Sequence, residues 1–121
     1  MSRNRAEGDG GAVNAIGADL LKLTECNMTA NSCAGNGGGV NVAGTNLSAV
    51  SSHFANNEAD FDGGGLRGHA RASLVLEDCQ FEGNEGRMGG GISIMKSNLV
   101  AKRCNISGNS ANVFRQKTWR L

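Results

Sequence analysis

Short segments with an apolar residue at every second position run along the chain. In "VNVA" and "LVLE", Val40 and Val42 or Leu74 and Leu76 define one side of the segment. A period of two is that of a β-strand with one buried face, whereas an amphipathic helix needs apolar positions three and four residues apart. From Leu76 to Cys79 the step widens to three, which breaks the alternation and predicts a corner.

These segments repeat with a period of about 26 residues. Two glycines, a small residue and an aliphatic residue form one repeated motif, which starts at Gly10, Gly37, Gly63 and Gly89. An apolar residue three positions before an asparagine forms a second motif, which ends at Asn31, Asn57, Asn84 and Asn109. Because two independent motifs share one period and one phase, the sequence predicts a stack of similar structural units.

We therefore predict an all-β fold, a parallel β-helix (solenoid) with about four turns and three short strands per turn. Residues 1–113 form the repeat domain, and residues 114–121 form an irregular basic tail. A partial turn at 1–9 precedes the turns at 10–36, 37–62, 63–88 and 89–113. A globular α/β fold is the alternative, but it needs helices of about ten residues or more between strands, and the apolar spacing places none.

Stacking places equivalent residues of successive turns above one another, so that columns of the repeat become ladders. A glycine ladder suits a corner where φ is positive or where backbones crowd. An asparagine ladder suits a tight corner, since asparagine tolerates left-handed geometry and its amide bonds to the amides above and below. The predicted glycine ladder contains Gly11, Gly38, Gly64 and Gly90. The predicted asparagine ladder contains Asn4, Asn31, Asn57, Asn84 and Asn109.

Three of the four cysteines, Cys26, Cys79 and Cys104, share one column with Ser52. The Cα atoms of Cys79 and Cys104 would lie about 4.8 Å apart on adjacent turns, inside the range of roughly 4.4–6.8 Å found in disulfides. Stacked parallel side chains rarely reach the required torsion near 90°. We therefore predict a buried thiol ladder, with Ser52 filling the gap.

A solenoid needs polar caps over its terminal turns; we expect none at the start of the sequence, and the one candidate at its end is the basic tail. In the register of the repeat, "MSRN" at 1–4 matches "MTAN" at 28–31, so the chain starts within a turn, at its third strand. A fifth glycine pair is expected near residue 115, where the sequence reads "FRQKTWRL". We expect a fragment of a longer repeat protein that self-associates end to end through uncapped turns. Alternatively, the basic tail folds over the last turn as a cap.

The paired motifs resemble the GGA[IVL] and FxxN repeats of the chlamydial polymorphic outer-membrane proteins. The matches are "GGAV", "GGGV", "GGGL" and "GGGI", with "FANN" and "FEGN", whereas "MTAN" and "ISGN" replace the aromatic residue by another apolar one. The resemblance covers about residues 1–113. It implies a right-handed parallel β-helix of the pectin-lyase-like kind in an adhesin-like protein, located outside the cell or on its surface.

Composition and charge exclude several classes of function. The formal net charge of +1 is too small to suggest nucleic-acid binding. No apolar run approaches the roughly 18 residues of a transmembrane helix, so we expect no membrane insertion by this segment. The start, "MSRNRAEGDGG", lacks the apolar region of a secretory signal. The 19 glycines come with no proline, which favours placed glycines over a disordered chain.

One stretch, "DGGGLRG", matches the G-x-G-x-x-G fingerprint of dinucleotide-binding loops through Gly63, Gly65 and Gly68. Such a loop follows a buried strand and opens a helix. Here "NNEADFD" precedes it, and Gly63 to Gly65 belong to the glycine column of every turn. We therefore assign these glycines to the architecture and expect no cofactor.

The cluster that a ligand would prefer is Arg67, His69 and Arg71 in "RGHAR", which suits an acidic sugar. Its Gly-His pair is half of the Gly-His-Gly that galacturonan hydrolases share, but no paired aspartates lie on neighbouring turns to act as acid and base.

Glu58, Asp60 and Asp62 alternate, so they would share one face if extended. A calcium ion needs about six to eight oxygen ligands, and we expect this triplet to form a solvated corner without a metal.

We expect a structural, adhesin-like or binding role with no catalysis in this segment, in which outward residues such as Asn41, Arg67 and Ser93 form the contact face. The expected partners are carbohydrate or a surface protein of a host or neighbouring cell. The alternative is a fragment of a polysaccharide-active enzyme, pectate lyase-like or galacturonan hydrolase-like, whose catalytic groups lie on other turns.

Overall fold

The fold is a stack of β-strand turns. A computed structural model describes residues 1–110 and the backbone of 113–115, and all regular structure in this part of the chain is β-strand. Strands are numbered along the chain, and equivalent strands of successive turns form the sheets. The first sheet contains β2 (Val13–Ile16), β6 (Val40–Ala43), β10 (Leu66–His69), β13 (Ile92–Ile94) and β16 (Val113–Arg115). The second contains β3 (Leu20–Thr24), β7 (Asn46–Val50), β11 (Ser73–Glu77) and β14 (Asn98–Lys102). The third contains β4 (Asn27–Thr29), β8 (His53–Ala55), β12 (Gln80–Glu82) and β15 (Asn105–Ile106).

Every strand pairs in parallel with the equivalent strand one turn away. In the second sheet, for example, Leu74 lies opposite Leu47 on one side and Leu99 on the other. The predicted columns are the observed register, and the predicted parallel β-solenoid of about four turns is confirmed. A fourth sheet was not predicted; its two-residue strands β1 (Arg5–Ala6), β5 (Ser32–Cys33) and β9 (Glu58–Ala59) follow the ladder asparagines.

The core lies inside the stack and consists of the inward columns of the three main sheets. Phe54 and Phe81 are its largest fully buried side chains, and their rings stack with centroids 4.4 Å apart and planes 2° from parallel. No single turn encloses this column, because each ring is covered by the rings or side chains of its neighbours. The apolar face of one turn therefore becomes a core only in the stack.

The asparagine ladder is continuous from Asn4 to Asn109. At each step, the side-chain oxygen of one asparagine accepts hydrogen bonds of 2.8–3.0 Å from the backbone N–H and the Nδ2 of the asparagine one turn earlier. The Nδ2 group of Asn57 also donates to the carbonyl of Met28, at 2.8 Å. The predicted amide-to-amide bonding is confirmed.

The left-handed residue at this corner is not the asparagine, and that part of the prediction was wrong. Arg3, Ala30 and Asn56, each directly before a ladder asparagine, have φ of 54°, 58° and 56°. The asparagine must direct its N–H and its side chain along the stack toward the next turn. The reversal of the chain is therefore made by the residue before it.

The glycine column has both predicted causes, a positive φ and crowded backbones. The first glycine of each motif has a positive φ, for example 73° at Gly37 and 69° at Gly63. The second, such as Gly38, has no such φ, but a Cβ there would lie 2.5 Å from the Gly64 carbonyl oxygen one turn on. Backbones of adjacent turns thus approach where a side chain has no room.

Cys26, Ser52, Cys79 and Cys104 occupy one corner column, and both Cys79 and Cys104 are free thiols. Ser52 Oγ donates to the Val50 carbonyl at 3.0 Å and accepts the N–H of Cys26 at 3.2 Å. Cys79 Sγ donates in the same way to the Glu77 carbonyl, at 3.3 Å. A hydroxyl and a thiol therefore make equivalent hydrogen bonds in this column.

Iodoacetamide at about pH 8 is expected to label Cys26 and Cys104 of the folded protein well before Cys33 and Cys79. Burial raises the pKa of the Cys33 and Cys79 thiols, which leaves less of the reactive thiolate at that pH. Cys26 and Cys104 are half-buried. Mass spectrometry of peptides after timed quenching measures the four rates. The urea-unfolded chain is the control, and equal rates in the folded chain would contradict the prediction.

The last described strand continues the first sheet with a shortened turn. Ile92 pairs with Val113, only 21 residues further along, whereas the earlier steps span 26 or 27 residues. The strand reaches Arg115, two residues into the predicted basic tail. The remainder of that tail, residues 116–121, lies outside the described residues, as do residues 111 and 112.

Candidate binding site on the first sheet

Strand β10 carries two of the three predicted ligand-facing residues. Arg67 and His69 lie on its outer side, and Arg67 stands between Asn41 of β6 and Ser93 of β13 in the sheet register. Arg71 lies beyond the strand, at a corner where it and Ala70 both have positive φ. The structure therefore brings Arg67 and His69 together and sets Arg71 apart at the next corner.

The chain before each strand of this sheet folds back over the outer side of that strand. A methyl group on Gly63 would lie 2.8 Å from the Cβ of Arg67, and one on Gly10 would lie 2.8 Å from the Cβ of Asn14. Asn41 and Ser93 are consequently fully buried. The expectation that they form an exposed contact face was wrong, because alternation along a strand does not reveal a segment that covers its outer side.

Three buried polar atoms belong to successive residues of this covered column. Asn41 Nδ2 donates to Asn14 Oδ1 at 2.9 Å, which begins a second, outer amide ladder. Arg67 interrupts the ladder, and Asn41 Oδ1, Arg67 Nε and Ser93 Oγ have no hydrogen-bond partner among the described residues. The guanidinium reaches outward instead, where its Nη2 donates to the Met95 sulfur at 3.6 Å.

A surface cavity of about 420 Å³ opens where this guanidinium ends. Its lining is Arg67, His69, Ala70, Met95 and Lys96. Lys96 also lines a neighbouring cavity of about 500 Å³, together with Arg71, Ser97 and Asn98. Arg71 thus lines a second cavity, and Lys96 lines both cavities.

Burial dominates the electrostatics of this site. It lowers the pKa of Arg67, against which the charges of Asp9 and Asp62 act. It also lowers the pKa of His69, helped by the positive charge of Arg67 and opposed by Asp9. No carboxylate within the described ranges forms an ion pair with Arg67. At neutral pH the site therefore holds a neutral His69 beside an unpaired, half-buried guanidinium.

Lys96 and Met95 are the site residues that sequence reasoning missed. Neither belongs to a repeated motif, and Lys96 occupies the corner that Ala70 and Arg71 occupy one turn earlier. The repeat register carried the signal that would have found them, because it aligns Met95 with His69 across the first sheet.

Gly68 interrupts the inward column of the first sheet, at the position of Val42 and Ile94. A Cβ there would lie 2.7 Å from the Cδ1 of Leu74. The glycine therefore makes room for that leucine, and all three glycines of the G-x-G-x-x-G pattern have architectural causes.

The acidic triplet lies on another part of the surface. Glu58 and Asp60 are exposed and line a shallow cavity of about 370 Å³ together with Glu85 and Arg87. Nowhere in residues 1–110 do three His, Cys, Asp or Glu side chains come together to hold a metal ion. The described part of the chain also has no helix long and apolar enough to cross a membrane.

This protein is a parallel β-helix, because equivalent strands of successive turns pair in parallel in three main sheets and the inward side chains stack in ladders. Residues 1–117 match the family model described as "Right handed beta helix region", and the chain belongs to that family. The coils are therefore right-handed. Comparison with curated proteins gives no match, and comparison with solved structures gives none either.

Proposed function

We propose that this segment is a structural and binding module of a secreted or surface-located β-helix protein, with an adhesin-like role and no catalysis of its own. The observation that carries this proposal is the hydrogen bonding between buried amide side chains of successive turns. The buried amides of Asn31, Asn57 and Asn84 bond to neighbouring turns on both sides. Such a stack is a stiff rod, and its outer residues are held at fixed spacings for a partner.

Location and partner follow from the resemblance. The glycine and asparagine motifs are like those of the chlamydial polymorphic outer-membrane proteins, which favours a cell-surface or extracellular place. We propose carbohydrate, or a surface protein of a host or neighbouring cell, as the partner. The outer side of the first sheet supports this choice, since it carries the Arg67 cavity and three buried polar atoms without a hydrogen-bond partner among the described residues.

Polysaccharide cleavage is the competing function, and one observation favours it. A lyase needs a basic residue that removes a proton beside a sugar carboxylate, and the first cavity holds His69, whose pKa burial lowers, next to the positive charge of Arg67. The rod without catalysis is the better-supported function, because no calcium-binding carboxylate group lies beside Arg67 in the described structure.

Incubation with polygalacturonate, with and without calcium, is expected to yield no unsaturated product, as followed by ultraviolet absorbance. The physical reason is that a lyase reaction needs a bound cation to neutralise the carboxylate next to the acidic C–H, and nowhere in residues 1–110 do three His, Cys, Asp or Glu side chains come together to hold one. A known pectate lyase in the same buffer is the control. Steady product formation that disappears in Arg67→Gln would overturn the proposal and assign the chain to polysaccharide cleavage.

A further inference from the structure

The cationic cavity has no internal counter-charge. Its lining brings Arg67, Lys96 and the imidazole of His69 to one place, although the whole chain carries a formal net charge of only +1. Asp9 and Asp62 are the acidic groups whose charges act on Arg67, and neither forms an ion pair with it in the described structure. A half-buried charge without an ion-pair partner is costly, and Asp9 and Asp62 offset only part of this cost, since burial still lowers the pKa of Arg67.

We propose that Arg67, His69 and Lys96 form an anion-binding site for the pendant carboxylate or sulfate group of an acidic oligosaccharide. The inference rests on the proposed binding role, to which it adds a ligand class and a place. A thioether is a weak acceptor, so the contact of Arg67 Nη2 with Met95 at 3.6 Å yields to an oxyanion. The guanidinium then offers two parallel N–H groups, which match the two oxygens of a carboxylate or sulfate.

The spacing of positive charges selects an oligosaccharide over a single small anion. Arg67 lines the first cavity and Arg71 the second, and Lys96 lines both. A lone carboxylate fills one cavity, whereas an oligosaccharide with an acidic group on successive or alternate sugars places one anion in each cavity. Met95 and Ala70 also line the first cavity and offer an apolar surface to the C–H face of a sugar ring.

The two histidines of the chain allow a direct test by proton NMR. Trigalacturonate supplies carboxylates, a sulfated trisaccharide supplies sulfates, and neutral maltotriose is the control ligand. We expect an acidic trisaccharide to shift the ring protons of His69 and to raise its pKa by about one unit, because a bound anion offsets the charges of Arg67 and Lys96. His53, which lies on the third sheet against Glu82 at 2.9 Å, is expected not to respond.

Two variants that each remove one positive charge distinguish binding at this site from general electrostatic attraction. Arg67→Gln is expected to weaken binding of the responding trisaccharide at least tenfold, whereas Arg5→Gln, an exposed arginine in the fourth sheet, is expected to change it less than twofold. Circular dichroism and the His53 signals confirm that both variants fold. Preference for trigalacturonate over the sulfated sugar, or the reverse, assigns the natural anionic group.

Two results would overturn the anion site. One is the absence of any His69 shift at millimolar trisaccharide, and the other is equal binding by Arg67→Gln and the parent chain. In the second case the binding role survives on a different surface and only the site fails. Product formation from polygalacturonate together with a shifted His69 has the opposite meaning: the anion site stands, and the non-catalytic role fails.

Discussion

Replacing Asn57 by alanine is expected to lower the free energy of unfolding by about 4 kcal/mol. Asn57 is fully buried in the middle of the ladder. Its Nδ2 donates to the Met28 carbonyl at 2.8 Å and to Asn84 Oδ1 at 2.9 Å, while its Oδ1 accepts both the N–H and the Nδ2 of Asn31 at 3.0 Å. Alanine removes every one of these bonds and leaves the partners buried, where each unsatisfied group costs about 1–3 kcal/mol.

Urea unfolding followed by circular dichroism measures this loss. Alanine variants of two other asparagines serve as controls. Asn46→Ala changes an exposed residue of β7 and is expected to stay within about 0.5 kcal/mol of the parent chain. Asn4→Ala removes an exposed end of the ladder and is expected to cost about 1 kcal/mol, since water replaces its lost bonds. Equal effects of Asn57→Ala and Asn4→Ala would show that the ladder does not act through burial.

The sequence predicted the stacking register because similar residues recur at the same position of successive repeats. Leu47, Leu74 and Leu99 lie opposite one another for the same reason that they align in the repeat: a parallel stack pairs residue i with its equivalent one turn on. The asparagine ladder was predictable on the same ground. Its amide bonds require only that equal residues lie one turn apart.

The site was less predictable, because its character comes from residues that break the repeat. The burial of Asn41 and Ser93 depends on how the preceding glycine corner folds back over the strand, which strand alternation does not encode. Lys96 joins Arg67 across a turn boundary, at a corner where the chain tolerates any residue that adopts a positive φ. Sequence columns determine which residues are neighbours, whereas the fold of the covering segment decides which of them reach solvent.

Gly64→Ala is expected to be among the most damaging single-methyl changes in the chain, with a loss of about 4 kcal/mol or more in the free energy of unfolding. The φ of Gly64 is not positive, so backbone strain is not the reason. The added Cβ would meet the backbone of the same turn, at 2.6 Å from both the carbonyl carbon and the nitrogen of Glu85. The Glu85 backbone is hydrogen-bonded to Asn57 and Ala59 of the preceding turn, so it cannot move aside without breaking those bonds.

Two other glycines separate this crowding from conformational strain. A Cβ on Gly17 would meet nothing within 4 Å, but its φ is 66°, so Gly17→Ala is expected to cost only the left-handed penalty of about 1 kcal/mol. Gly8 has neither a contact nor a positive φ, so Gly8→Ala is expected to stabilise the fold by about 0.5 kcal/mol through a less flexible unfolded chain. Urea unfolding of the three variants measures the order. If Gly17→Ala were as damaging as Gly64→Ala, the backbone contact of the Gly64 Cβ would add nothing to the cost, and the crowding argument would be wrong.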